Sequence, residues 1–192
     1  MATTIKDAYI SVEIRDTALQ ALREGLKRSL EDIGIGCEVA SHDAHVSIAY
    51  GEGDVALSEL EETAREITCR PFTVSVVGFE ILNGLTTPYD YLVIKLSSDG
   101  DFTEAVQCAA DHINTRTFNG GFHSHVSLLR FPKGALDSEH AQELIREMNA
   151  AQSGAMALGC RPCLRGDSVS VFDPDRRCCL QVPFDDAVAV AW

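Results

Sequence analysis

His45-Val46-Ser47-Ile48 and His125-Val126-Ser127-Leu128 are nearly the same tetrapeptide, eighty residues apart. In a β-strand, residues i and i+2 share a face while i+1 and i+3 point the other way. Each stretch therefore sets an imidazole beside a hydroxyl on one face and two aliphatic side chains on the opposite, core-directed face. Two such strands brought together surround one cavity with two titratable rings and two hydroxyl donors. Histidine, with an ordinary pKa of about 6.5, holds either protonation state near neutrality. The set is thus equipped for acid–base chemistry on an oxyanion, with hydroxyls bonding the charged oxygens.

Other residues bear on the same faces. Asp43 stands two before His45, and His123 two before His125. Asp43 could orient His45 or favour its charged form, and His123 could bind substrate. The rival use of His45, His123, His125 and Asp43 is a metal site, which would leave both serines unexplained. Tyr89, Tyr91, Phe122 and Phe172 are candidates for stacking on a base. Arg130 falls just past the second motif on the other strand parity, from which it would have to swing over a rim to reach a phosphate. His42, His112 and His140 fall in a loop or on helices and take no role.

The positioning elements follow from periodicity. Ala8 to Ile14 alternates with Ile10, Val12 and Ile14 on one face, a strand. Asp16 or Thr17 caps a helix to about Ile33 with the stripe Leu19, Leu22, Leu26 and Leu30, closed by Gly34 and Gly36. The first motif strand ends at Gly51. Ser58-x-x-Glu61 reads as a capping box opening a helix, and Phe72 to Leu82 as a strand with a bulge where apolar parity changes beside Gly78. After the Asn83-Gly84 turn the order repeats. Tyr91 to Ser97 is a strand, Asp101-x-x-Glu104 caps a helix, the second motif strand follows, and Asp137 or Ser138 opens a helix with Ala141, Leu144, Ile145 and Met148 inward. Strands near Ser168–Asp173 and Cys178–Val182 close the chain. Each motif histidine precedes the next helix-opening serine, Ser58 or Ser138, by 13 residues. The expectation is one bilobal α+β domain over residues 1–192 with repeat halves at 7–83 and 89–184. It has two pseudo-symmetric lobes of antiparallel sheet with outer helices and a cleft between them.

Composition narrows the class. The 192 residues are 45% hydrophobic with a net charge of −13. That content supports a core, and that charge repels duplex nucleic acid, whose binding depends on basic contacts to phosphate. No apolar run approaches the roughly 20 residues a bilayer helix needs, and the start lacks a basic and an apolar signal region. A cytoplasmic monomer with no membrane partner is the expectation. Seven cysteines, an odd number, are then expected to be reduced thiols. Cys160-Arg161-Pro162-Cys163 and Cys178-Cys179 invite a zinc reading, against which adjacent strand residues diverge.

Paired His-x-Ser motifs in a duplicated α+β chain of this length resemble the two-histidine phosphoesterase superfamily. Its members include 2′,3′-cyclic nucleotide phosphodiesterases, enzymes cleaving 2′,5′-oligoadenylate, RNA-trimming exonucleases and phage enzymes that destroy cyclic oligonucleotide signals. The resemblance implies that His45 and His125 are catalytic and that Ser47 and Ser127 bind substrate; the position and type of His123, Arg130 and Tyr89 make them candidates for further contacts. It implies a hydrolase of 2′,3′-cyclic phosphates or of short 2′,5′- or 3′,5′-linked oligoribonucleotides, needing no cofactor and no metal. A non-catalytic nucleotide- or RNA-end-binding module, and an acidic interaction protein that merely keeps the fold, are the alternatives.

Overall fold

A computed structural model describes residues 3–40, 44–84, 87–116, 124–160 and 162–184. In chain order the elements are β1 (Thr4–Lys6), β2 (Tyr9–Ile14), α1 (Thr17–Asp32), β3 (Glu38–Val39), β4 (Ala44–Tyr50), β5 (Asp54–Ala56) and α2 (Leu57–Thr68). There follow β6 (Thr73–Asn83), β7 (Tyr89–Leu96), α3 (Asp101–His112), β8 (His125–Pro132), α4 (Ser138–Ala157), β9 (Cys163–Arg165), β10 (Ser168–Phe172) and β11 (Cys178–Pro183). No helix among them is long and apolar enough to cross a membrane.

The main sheet runs β11-β10-β2-β4-β8-β7-β6-β9, and β3 adds to β8; all the named pairings are antiparallel. β1 and β5 form a separate small ribbon. Between β4 and β8 the register holds one pair, Val46 with Val126. Beyond it the strands part, and each finds another partner. β3 pairs with Leu129 and Arg130 of β8, while Thr115 bridges Gly51 just after β4. The α+β architecture of two antiparallel lobes follows, with β11-β10-β2-β4 on one side and β8-β7-β6-β9 on the other.

The lobes do not coincide with the sequence halves. β6, from the first half, completes the second lobe; β10, from the second half, completes the first. Helices cross as well: α1 packs on β3 and β8, and α3 on β4. One continuous core lies behind both motif strands, containing Val46, Ile48, Val126 and Leu128 with Ile10, Val12, Leu60, Ala109 and Val171.

Local signals place the helices. Asp16 caps α1, its Oδ1 accepting from Ala18 N at 2.7 Å and Leu19 N at 3.0 Å. Asp137 caps α4 by accepting from His140 N at 2.9 Å. α2 starts earlier than the Ser58 box implies: Leu57 is already helical, and Glu59 reaches back to Ala56 N at 3.4 Å. Asp101 accepts instead from Thr73 N at 2.7 Å, tying α3 to the start of β6, while Gly100 at φ +57° turns the chain into the helix.

Four bulges interrupt the main sheet, one of them skipping Cys179 between β10 and β11; the other three bear on the site. The register of β6 shifts between Val76 and Gly78, where the loss of apolar alternation predicts it. α4 closes this break: the Asn149 side chain accepts from Phe79 N at 2.9 Å, and Gln152 donates to Val76 O at 2.9 Å. A Cβ on Gly78 would sit 3.0 Å from Asn149 Oδ1, so glycine permits the approach. The other two bulges are equivalent, skipping Ile48 in β4 and Leu128 in β8, the fourth residue of each motif. The carbonyl of Leu128, outside the β7 ladder, accepts from Ala40 N at 3.1 Å and from the Arg23 guanidinium Nε at 3.3 Å. Arg23 is fully buried, whereas Leu22 of the expected stripe is exposed. The stripe thus misplaces one residue, because the bulge needs a donor from the helix behind it. Arg23→Met keeps much of the volume but removes that donor; it should lower unfolding free energy by about 1.5–3 kcal/mol, read by urea denaturation.

Candidate active site

The Val46–Val126 pair brings the two motifs together. Continuing the antiparallel register from that pair sets His45 toward Ser127 and Ser47 toward His125. Both imidazoles and both serines line one cleft of about 450 Å³. His45, His125 and Ser127 are half-buried and Ser47 is buried. His125 begins its strand and His45 is the second residue of its own, so the rings stand at the ends where the two lobes diverge.

The two bulges complete the wall. Past Ser47, Ile48 and Ala49 both turn to the core, and Tyr50 returns to the cleft; past Ser127, Leu128 and Leu129 do the same, and Arg130 returns. A register shift of one residue exchanges strand faces. Arg130 therefore lines the cleft directly rather than reaching over a rim, as simple alternation would require. The signal was present in both motifs as two successive apolar residues where alternation allows one.

Tyr9 of β2 and Tyr91 of β7 occupy equivalent stations on either side. The Tyr9 hydroxyl lies 2.7 Å from Ser47 Oγ, and Tyr50 OH 3.4 Å from the same atom. The Tyr9 ring meets His45 edge-on at 6.0 Å between centroids and packs against Tyr50 at 4.8 Å and Phe172 at 5.8 Å. Burial pushes the Tyr9 hydroxyl far above the usual tyrosine value, Tyr50 adds to this, and the bond to Ser47 and the nearby Arg176 only partly oppose it. Tyr9 keeps its proton and can donate to Ser47, leaving the serine hydroxyl's own proton for a ligand.

Two guanidinium groups reach the cleft. Arg130 Nε donates to Glu38 Oε2 at 2.8 Å, and its Cζ lies 4.7 Å from the Tyr89 ring centroid. Tyr89 is thus placed against Arg130 and is not a cleft-lining residue. Arg176, in the β10–β11 turn, lies 5.5 Å from the Tyr9 ring centroid. Its φ of +65° is unusual for a residue with a Cβ, and the turn is held by Arg176 N donating to Asp173 O at 3.0 Å and Arg177 N to Asp173 Oδ1 at 2.8 Å. Nothing in the motifs or their spacing points to Arg176, Tyr9 or Tyr50 at the cleft. Only strand pairing identifies them.

Asp43, His123 and Phe122, named from sequence, lie outside the described residues. Phe172 packs on Tyr9. Among the described residues the side chains close enough to share a metal ion are Glu66, Cys108 and His112 on α2 and α3, away from this cleft. Cys160, Cys163, Cys178 and Cys179 are exposed free thiols and are not among them.

No family model and no curated protein matches the sequence. Solved structures do match the fold. Usb1 of Kluyveromyces marxianus, in a structure with uridine monophosphate, aligns over 92% of this chain and 97% of its own, with a TM-score of 0.58 at 15% identity. A second Usb1 structure from the same organism gives 0.57 at 16% identity, over 93% and 98%. Escherichia coli LigT with 3′-AMP covers 94% of this chain and 95% of its own at 13% identity, with a TM-score of 0.48. The chain has the two-histidine phosphoesterase fold. In the sheet order of this chain β4 and β8 are the middle pair, and they carry His45, Ser47, His125 and Ser127.

The raised Tyr9 value has a testable sign. A phenol that holds its proton more tightly when folded contributes its full stability below the unfolded value of about 10 and loses it as pH rises above that. Alkaline titration followed by ultraviolet absorbance should show one of the four tyrosines ionising only with unfolding, and Tyr9→Phe should abolish that component.

Proposed function

We propose that this chain is a phosphodiesterase acting on 2′,3′-cyclic phosphates or short 2′,5′- or 3′,5′-linked oligoribonucleotides, cyclic ones included, with His45 and His125 as the acid–base pair and no metal requirement. The observation that carries this reading is the Val46–Val126 pair, which faces two His-x-Ser strands into one cleft. The likeness in fold to Usb1, seen with uridine monophosphate, supports a nucleotide ligand. So does the cleft wall: the half-buried Tyr50 and Tyr91 stand there for a base to pack on, and Arg130 and Arg176 offer charge for phosphate.

A phosphodiester anion resists attack, so the site must activate a nucleophile, protonate a leaving oxygen and neutralise the non-bridging oxygens. One neutral imidazole takes a proton from water as its oxygen bonds to phosphorus. The bond to the ribose oxygen then breaks with its electron pair, and that oxygen takes a proton from the other, protonated imidazole. Ser47 and Ser127 donate to the phosphoryl oxygens. On a linear oligonucleotide the same pair can activate a neighbouring ribose hydroxyl and leave a cyclic end.

A substrate panel with chelator present tests this: 2′,3′-cyclic mononucleotides, 2′,5′-oligoadenylate, short RNA with defined ends, cyclic di- and trinucleotides and ADP-ribose cyclic phosphate. His45→Ala and His125→Ala should each cost on the order of 10²–10⁴ in turnover; full turnover in both variants refutes the mechanism. Binding without turnover would favour a nucleotide- or RNA-end-binding module, and no affinity at all an interaction protein that keeps the fold. Arg176→Ala, losing a charged hydrogen bond of about 1.5–3 kcal/mol, should raise KM about tenfold or more and leave kcat nearly unchanged in steady-state assays.

A further inference from the structure

Unequal surroundings bias which of two histidines starts with the proton, and the motifs and their bulges are nearly identical. The strands next to them are not. In β2, Glu13 stands directly opposite His45; at the equivalent station in β7, Lys95 stands directly opposite His125. Directly opposed antiparallel residues have Cβ atoms about 4.5–5.5 Å apart on the same face, within reach of a glutamate and an imidazole.

Glu13 is only 5% exposed. A carboxylate that deep is unfavourable unless bonded and paired. Ser11 Oγ donates to its Oε1 at 3.0 Å. On its other flank, in β10, the opposed residue is Ser168, whose hydroxyl accepts from Gln181 Nε2 at 3.0 Å. Among the described residues, the remaining titratable or charged groups around the pair are few. Tyr9 shares β2 and stays neutral, Cys178 on β11 feels the Glu13 charge and has its thiol pushed up, chiefly by burial, and the Arg176 guanidinium sits beyond the Tyr9 ring. Arg15 pairs with Asp167 at 3.4 Å just past the end of β2. From β8, His125 shares the cleft with His45. Of these groups, the one in direct register with Glu13 that can become a cation is His45.

We propose that Glu13 is a positioning residue that orients His45 and stabilises its imidazolium form, making His45 the general acid and leaving His125 as the base. The reaction roles rest on the phosphodiesterase reading above; the Glu13–His45 coupling does not. At the other site the residue opposite His125 is a cation, Lys95, whose Nζ lies 3.1 Å from Glu80 Oε2. In the reaction the proton of the attacking water passes to His125 as the new oxygen–phosphorus bond forms. The departing ribose oxygen keeps the electrons of the broken bond and takes the proton of His45. Exchange with solvent then resets both rings, and no electron transfer is involved.

The test is titration of the assigned imidazole resonances by NMR in the full chain, with pH–rate profiles alongside. In the unaltered protein His45 should titrate above the ordinary histidine value of about 6.5. Glu13→Gln should lower that midpoint by about one pH unit, a tenfold change in proton affinity, and move the alkaline limb of kcat down with it, with kcat falling more than KM rises. Glu13→Asp should restore part of the shift, and Lys95→Met should leave the His45 midpoint in place. A His45 midpoint at or below the ordinary value in the unaltered protein overturns the proposal, and that reading needs no variant to fold. So does an unchanged midpoint in folded Glu13→Gln. If no substrate is turned over while Glu13→Gln still moves the His45 midpoint, the phosphodiesterase reading fails and the coupling stands.

Discussion

The cleft depends on one backbone pairing, Val46 with Val126. Both valines are fully buried, and the alternation of a strand then forces His45, Ser47, His125 and Ser127 to the opposite face. Slipping either strand by one residue would send its imidazole into the core and its valine to the cleft. The unfavourable burial of a ring nitrogen and the loss of aliphatic contacts oppose that slip together. Hydrophobic patterning on the back of the sheet thus determines the chemistry of its front.

The same pairing explains why the strands diverge. With β3 taking the edge of β8 and Thr115 that of β4, the two lobes open away from a shared pair. The exchange of β6 and β10 between lobes, and of α1 and α3 behind them, means that neither lobe is built from one half alone. A repeat that would be two small units becomes a single one whose cleft walls come from both halves. Arg23 illustrates the coupling: a first-half helix donates to the bulge carbonyl of the second motif.

Symmetry supplies the pair of motifs, and its local failure supplies their difference. Tyr9 and Tyr91 match, and the bulges at Ile48 and Leu128 match, but Tyr50 answers to Arg130 and Glu13 to Lys95. Such an imbalance biases which of two otherwise like rings holds a proton.

Much of this was legible in the residues. The seven longer strands, the α1 and α4 caps, the bulge beside Gly78 and the shared face of His and Ser in each motif follow from local rules, because periods of 2 and 3.6 and the capping side chains act within a few residues of chain; the short strands β1, β3, β5 and β9 do not. The α2 start and the Arg23 position departed from those rules where tertiary contacts outweighed them. Which strand lies beside which is another matter. Any strand with an apolar back and a polar face satisfies the same local pattern, and the choice among partners is made by packing across the whole core. The sequence alone therefore determined the two motifs and the face each presents. Only the tertiary structure decided that Tyr9, Glu13 and Arg176 adjoin them, because cross-strand neighbours are set by long-range burial that no local spacing encodes.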